Sequence, residues 1–293
     1  MKKFLTLIML MSCLAAWSQR LWKVTPATPG VAPSYIFGTH HLVTPEYLPA
    51  SAREALDSAS VVVGEVVVSE LNGDEGREAI MKATAAPPDS SLTSLFTPQQ
   101  IDSINALFNI LLGTGQVPFV QQQDDRCPGV LSAALTMFLG EKVLPGFSTG
   151  GNIDTYVQEY ARSCGKELRG LESADEQLSL LYGSSVASQA AELMEMVRDP
   201  RGNISKLEEM TQYYLDGDLE SLYTMLDEPV SGVGTDELER LVVNRNRAWM
   251  WTLDQIIGRE GNAFIAVGAG HLPSETGILA MLESRGYIVT PVE

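Results

Sequence analysis

The sequence is poor in basic residues. Its 293 residues include 20 Lys and Arg against 37 Asp and Glu, a formal net charge of −17. Because phosphate binding needs clustered Lys and Arg, this balance argues against nucleic acid or an anionic membrane surface as a partner. The chain also lacks a fixed-period repeat and a low-complexity tract. The remaining composition is that of an ordinary globular protein, 45% hydrophobic and 19% charged, with enough length to bury a sizeable core.

Cysteine is scarce as well. Of three cysteines, Cys13 lies in the N-terminal segment, and the other two are Cys127 and Cys164. Their spacing does not resemble a zinc site. In an oxidising compartment they could form a disulfide, and the alternative is two buried free thiols. The sequence leaves both open because it does not give the Cα separation that a disulfide requires.

A long apolar run occurs only at the N-terminus. Lys2 and Lys3 precede a nearly unbroken apolar segment from Phe4 to Ala16, and the small residue Ser18 follows. This layout predicts a signal peptide over residues 1–18 and an exported chain, periplasmic or extracellular, without a membrane span after cleavage. Two alternatives are an uncleaved anchor, for which the run is short, and a lipoprotein signal with Cys13 as the lipidated residue.

The pattern of elements predicts an α/β (α+β) fold. Short apolar strands are expected near residues 20–24, 35–37, 264–267 and 287–290, and the middle of the chain is mostly helical. We therefore expect a central mixed β-sheet built from N- and C-terminal strands and flanked by helices. Residues 19–293 are expected to form a single domain with a helical insertion at about residues 70–150.

Two predicted elements carry chemically relevant residues. Residues 61–68 form a β-branched run that predicts a strand buried on both faces, with Glu65 in its middle. A carboxylate there needs a partner, a metal or a cavity. Residues 236–257 predict a long amphipathic helix closed by Gly258. Arg245 lies on this helix at the edge of its apolar face, where it could clamp a substrate carboxylate, stabilise an oxyanion or form a structural salt bridge.

Several familiar catalytic motifs are missing. The chain has no Gly-x-Ser-x-Gly nucleophile elbow, no phosphate-binding loop and no zincin motif. It has only three histidines, His40, His41 and His271, and all three lie in two Gly-x-x-His segments that follow predicted strands. Glycine would allow a sharp turn with positive φ after each strand, and ligands of α/β sheets bind at the carboxyl ends of strands.

Histidine in this position favours a metal site. Imidazole is the commonest protein ligand for divalent transition metals, and carboxylates often complete the shell. Glu65 is well placed to be such a carboxylate. A lone histidine at a strand end is more often structural, but two copies of the pattern that hold every histidine favour one shared site. Spacing alone does not name a reaction.

The chain resembles the TraB/PrgY/GumN family, which is similar to the Tiki metalloproteases and, more remotely, to the erythromycin esterase and ChaN groups. The resemblance covers nearly the whole chain after residue 20 and rests on segments that occur in the family's order: Leu21–Val24, Tyr35–Leu42, Glu65 after its valine run, Asn152–Asp154, Gly170–Glu172 with Glu176-Gln177, Tyr214–Leu219, Asn244–Arg247 and Val267–Leu272 through Tyr287.

The resemblance implies a metal-dependent hydrolase, a peptidase or an esterase, with a divalent transition metal such as Mn, Co or Zn and a peptide or small-molecule substrate. It implies that His41, His271 and Glu65 hold the metal. His40 departs from the family pattern as an extra ligand, a supporting group or an incidental residue. Glu172 is expected to be a ligand or a structural residue, and one of Glu65, Glu172 or His40 is expected to act as general base. The Arg245-Asn246 pair is expected to belong to the catalytic set.

Two other functions remain open. The remoter ChaN resemblance allows a non-enzymatic protein that binds iron or haem. A scaffold that keeps the motifs as vestiges is the third hypothesis.

Overall fold

The computed structural model describes residues 19–144, 151–227 and 235–292, and the predicted signal peptide lies outside them. Six strands form one sheet in the order β4-β3-β5-β2-β1-β6: β1 (Leu21–Thr25), β2 (Ser34–Thr39), β3 (Val61–Gly64), β4 (Glu167–Gly170), β5 (Ala263–Gly268) and β6 (Ile288–Val292). Strands β2, β5, β3 and β4 pair in parallel, and β1 is antiparallel to both β2 and β6. The α/β fold with a mixed sheet of N- and C-terminal strands is confirmed.

Helices occupy most of the described chain between these strands. A 3-10 helix (Pro45–Tyr47) and one α-helix, α1 (Ala50–Ser58), precede β3. Those between β3 and β4 are α2 (Val68–Asn72), α3 (Asp74–Ala83), α4 (Leu92–Leu95), α5 (Pro98–Leu112), α6 (Phe119–Gln122), α7 (Pro128–Val143) and α8 (Ile153–Ser163). Those after β4 are α9 (Ala174–Tyr182), α10 (Val186–Arg198), α11 (Pro200–Asp216), α12 (Leu219–Asp227), α13 (Thr235–Leu238), α14 (Asn244–Gln255) and α15 (Ile278–Glu283).

Buried apolar side chains form two separate groups. One surrounds the sheet, where Phe264, Ile265 and Val267 of β5 are fully buried, as a central parallel strand requires. The other lies among α4 to α7 and α10, with Ile104 and Leu135 at its centre. Most of this helical group therefore lies in the segment for which an insertion was predicted. The sheet, and not this group, positions the site.

The predicted strand over residues 61–68 is too long. Strand β3 ends at Gly64, and Glu65 follows it instead of lying in its middle. Beyond that point the side-chain amide of Gln158, on α8, binds the backbone in place of a neighbouring strand: its Nε2 donates to the carbonyl of Val66, and its Oε1 accepts from the N–H of Val68. The β-branched sequence continues past Gly64, but its pairing with a neighbouring strand ends there.

The predicted helix over residues 236–257 is longer and less regular. Wide π-type turns at Glu239–Val243 and Ile256–Glu260 flank α14. The helical segment ends at Gly261, whose φ of 69° favours glycine, and not at Gly258. Gly258 is buried in the last turn, where a side chain would collide with the hydroxyl of Tyr287. The glycine that looked like a terminator is therefore a packing residue.

The two cysteines of the described chain are free thiols. Cys127 is buried and Cys164 is exposed, so the disulfide alternative is wrong and so is the burial expected for the second thiol. No helix in the described ranges is long and apolar enough to cross a membrane.

Candidate functional site

Four parallel strands end at one edge of the sheet and bring the site residues together. His41 follows β2, Glu65 follows β3, Glu172 follows β4 and His271 lies in the single 3-10 turn after β5. The carboxyl edge of a parallel sheet is where α/β proteins bind ligands. The two motifs converge as expected, because β2 and β5 pair in a register that places Thr39 opposite Gly268.

The motif glycines have a different role from the one predicted. Neither Gly38 nor Gly268 has positive φ, so the expected left-handed turn is wrong. Gly38 stays in the sheet, and a Cβ on it would lie 3.2 Å from the Cα of Ala269 and 3.0 Å from the Cδ1 of Leu272. Glycine is needed at this position because the second motif packs directly against the first.

Glu65 is a buried carboxylate with a hydrogen-bond partner at each oxygen. Its Oε1 accepts the N–H of Gly268 at 2.7 Å, and its Oε2 accepts from Arg245 at 2.6 Å. The side chain is only 9% exposed. Burial raises its pKa, but the basic groups around it, His271 and Arg245 foremost, outweigh that effect and lower the pKa to about 2. Glu65 is therefore an anion.

Arg245 is the central cation of the cluster, and all five of its N–H groups have acceptors. It binds Glu172 through two nitrogens at 3.0 and 2.6 Å, Glu65 at 2.6 Å, the carbonyl of Leu241 at 3.0 Å and Nε2 of His271 at 3.0 Å. Burial lowers its pKa, but the two carboxylates raise it further, so the guanidinium stays charged. Of the roles left open, the structure places Arg245 in a buried salt bridge to two carboxylates.

His271 is fixed on every side. Its Nδ1 lies 2.7 Å from Oδ1 of Asn246, and the amide nitrogen of that fully buried asparagine donates to the carbonyls of His271 and Thr276. Nδ1 must then carry the proton, so Nε2 is an acceptor that faces Arg245. Burial lowers the pKa of His271 to about 4, with Glu65 opposing the shift and Arg245 adding to it. The ring is neutral and packs 4.6 Å from that of Trp249.

His41 lies in more open surroundings. Its side chain is 65% exposed, and its Nδ1 contacts Oδ2 of Asp154 at 3.0 Å. Asp154, in the first turn of α8, also accepts from the hydroxyl of Thr39 at 2.6 Å. This carboxylate raises the pKa of His41 above its usual range. A carboxylate at Nδ1 orients an imidazole and leaves Nε2 for another partner.

The two histidines and Glu65 converge on Gly268. A Cβ built on this glycine would lie 3.1 Å from Oε1 of Glu65, 3.5 Å from Cδ2 of His271 and 3.9 Å from Nε2 of His41. Because glycine has no side chain, the space among these three groups stays open. Any larger residue at this position would fill it.

The structure does not bring His40 to this cluster. Its Nδ1 accepts the N–H of Leu42, its Nε2 lies 3.5 Å from the hydroxyl of Thr211, and its ring packs against Tyr214 on α11. Burial, followed by the charge of His41, lowers its pKa to about 4. His40 is a neutral packing residue beside the site.

In the part of the chain that the structure describes, no group of three or more His, Cys, Asp or Glu side chains is placed so that it could hold a metal ion. The donor types nevertheless fit a transition metal. Donors about 2.1 Å from a tetrahedral ion lie roughly 3.4 Å apart, and Oε1 of Glu65 is 3.7 Å from Nε2 of His271. The obstacle is Arg245, whose N–H holds the Nε2 lone pair that an ion would need.

The sequence of this chain matches a family model. The model described as the TraB/PrgY/gumN family matches residues 20–291. The chain belongs to the TraB/PrgY/GumN family. Comparison with curated proteins and with solved structures finds no match.

Sequence reasoning missed three contributors to this TraB/PrgY/GumN site. In the sequence Asp154 and Thr39 lie within family segments, Asn152–Asp154 and Tyr35–Leu42, and Trp249 lies within the predicted helix over residues 236–257, with no role assigned to any of the three. Arg245 lies 4.6 Å from the centre of the Trp249 ring, an additional cation–π contact. The one available signal was the family segment that holds Asp154, because nothing in residue spacing connects it with His41.

Proposed function

We propose that this TraB/PrgY/GumN protein is an exported metal-dependent hydrolase that acts on peptide or ester bonds. The observation that carries the proposal is the convergence of Glu65, His41 and His271 around the missing side chain of Gly268. Export rests on the predicted signal peptide over residues 1–18.

In this proposal His41, His271 and Glu65 hold a divalent transition metal such as Mn²⁺, Co²⁺ or Zn²⁺, and Arg245 releases Nε2 of His271 when the ion binds. Such an ion, when bound, lowers the pKa of water and polarises a carbonyl oxygen. Asp154 and Asn246 orient the two imidazoles through their Nδ1 atoms, a type of support that metal-binding histidines commonly have.

The remaining proposed roles follow from the hydrogen bonds of each side chain. Glu65 and Glu172 are the candidate general bases, since both are carboxylates at the strand edge, and His40 is set aside because both of its nitrogens contact other groups. All five N–H groups of Arg245 are occupied, so Arg245 can stabilise a developing oxyanion only by exchanging one of its present partners.

Metal analysis and thermal unfolding test the proposal. We expect Mn²⁺, Co²⁺ or Zn²⁺ to raise the Tm of the wild type, because a ligand that binds the native state stabilises it. His41→Ala and His271→Ala should lose the shift and the metal-dependent hydrolysis of peptide or ester libraries. His40→Asn is the matched control, a third histidine outside the cluster, and should keep both.

Three outcomes would contradict the proposal. Wild-type turnover in both histidine variants would show that these residues do not hold a catalytic metal. An unchanged Tm with all three metals would favour the scaffold. A visible absorption band on haem titration, together with no turnover on either library, would favour the iron or haem binder.

A further inference from the structure

A cavity of about 310 Å³ lies among helices α7, α10, α11, α12 and α13 and the first π-type turn, outside the Glu65, His41 and His271 cluster. Its volume is at the lower end of the range for small-ligand sites. The apolar part of its wall consists mainly of three methionines and several leucines, among them Met196, Met210, Met225, Leu139, Leu226 and Leu241. Methionine is flexible and polarisable, so this wall suits an aliphatic chain of variable shape.

Charged side chains complete the wall, and acidic ones outnumber basic ones. Glu192, Glu195 and Glu237 line the cavity together with one basic residue, Lys206. Glu237 also pairs with Arg240 at 3.0 Å. Glu192 and Glu195 are exposed at their positions on α10, so they lie at the solvent side while the leucines lie deeper. The cavity is thus apolar inside and mainly negative at its rim.

The cavity adjoins the candidate site through two of its own residues. The carbonyl of Leu241 accepts from Arg245, and a Cβ on Gly270, the residue before His271, would lie 2.9 Å from Cδ1 of Leu226. One layer of side chains therefore separates a group in the cavity from the second histidine motif.

We propose that this cavity binds a long aliphatic group that ends in a positive charge, such as the lysine or arginine side chain of a peptide substrate. The aliphatic stem lies against the methionines and leucines, and the cation is next to the glutamates at the rim. The assignment to a substrate rests on the proposed hydrolase function, whereas binding of the group itself does not.

The test uses binding and needs no turnover. Hexylamine, 1-hexanol and hexanoate have the same apolar chain and different charge, and they are titrated into the full chain labelled at its methionine methyl groups. We expect hexylamine to shift the NMR signals of Met196, Met210 and Met225, with hexanol weaker and hexanoate without effect. Met81, which is 61% exposed and lies elsewhere, is the internal control.

A rim variant tests the charge separately. Glu195→Gln should weaken hexylamine binding about threefold, the size typical of a partly exposed ion pair, and leave hexanol binding unchanged. Glu208→Gln removes one exposed carboxylate from α11 outside the cavity wall and should change neither. Equal shifts with hexanoate would overturn the charge assignment, and unmoved cavity methionines with all three probes would overturn the binding site.

The outcomes separate this proposal from the hydrolase function. Hexylamine binding without any hydrolysis would support the cavity and reject the enzyme. Hydrolysis of peptides regardless of a basic residue, with unmoved methionine signals, would support the enzyme and reject the cavity.

Discussion

The two Gly-x-x-His motifs end in opposite surroundings. His271 is buried against Trp249 and has partners at both ring nitrogens, whereas His41 is 65% exposed and contacts one aspartate. His271 is part of a packed network, and His41 lies at the solvent-exposed side of that network. The same sequence pattern therefore gives one histidine that the fold holds in place and one that is exposed to solvent. Such a pair suits a site that keeps its structure and also admits a ligand.

The largest expected effect tests whether the buried side depends on its cation. Arg245→Met would leave Glu65 and Glu172, each under 10% exposed, without their counter-charge. We expect the free energy of unfolding to fall by about 3–5 kcal/mol in urea denaturation.

The matched control is Arg247→Met, two residues further on. Arg247 pairs with Glu239 at the surface, with 55% of its side chain exposed, so its loss should cost under about 1 kcal/mol. Similar losses in the two variants would mean that the buried network does not stabilise the fold.

The second prediction compares the two histidines directly. His271→Ala removes a buried ring and leaves Oδ1 of Asn246 without its partner, so we expect a loss of about 2–4 kcal/mol in stability. His41→Ala removes an exposed ring and should change stability by less than about 1 kcal/mol. Chemical denaturation of the metal-free variants measures both. If the losses are equal, the contrast between the two sides is wrong.

The third prediction concerns the open side alone. Asp154→Asn keeps the size of the side chain but removes the charge at Nδ1 of His41, so affinity for Mn²⁺, Co²⁺ or Zn²⁺ should fall about 10- to 100-fold. Calorimetric titration with each metal gives the value. Asp175→Asn, in the corresponding first turn of α9, is the control and should bind as the wild type does. Unchanged affinity in Asp154→Asn would remove this aspartate from the site.

The smallest expected effect tests the space between the two sides. Gly268→Ala would place a methyl group 3.1 Å from Oε1 of Glu65, so the carboxylate must shift, at a cost of about 1 kcal/mol. Metal affinity should fall several-fold with the fold intact by circular dichroism. Gly115→Ala, at a position with open space around it, should have no effect. Equal affinities would show that no ligand uses this space.

Much of the fold could be predicted because it depends on local pattern. The apolar runs of β2 and β5 and the capping box at Thr97 and Gln100 are recognisable without tertiary contacts. The edge location of the histidines follows from the strands before them. The end of β3 could not be predicted, because Gln158, far along the chain, binds the backbone after Gly64.

The details of the site were harder to predict for the same reason. The sequence places Arg245 on a helix, but its five acceptors come from four other positions in the chain, and only Leu241, one turn earlier, is connected with it by helical spacing. His40 and His41 are adjacent in sequence and alike in chemistry, yet one packs on Tyr214 and the other faces Asp154. Such tertiary contacts form only when the sheet has assembled, so the spacing of residues in the sequence does not predict them.

The register of β2 with β5 also sets an order of events in folding. The hydroxyl of Ser34 accepts the N–H of Ala263 across a separation of 229 residues. The first strands must therefore wait for β5 before the central pair of the sheet can close, and such distant contacts make folding slow. The candidate site, which spans that pair, is completed only after β5 has been made.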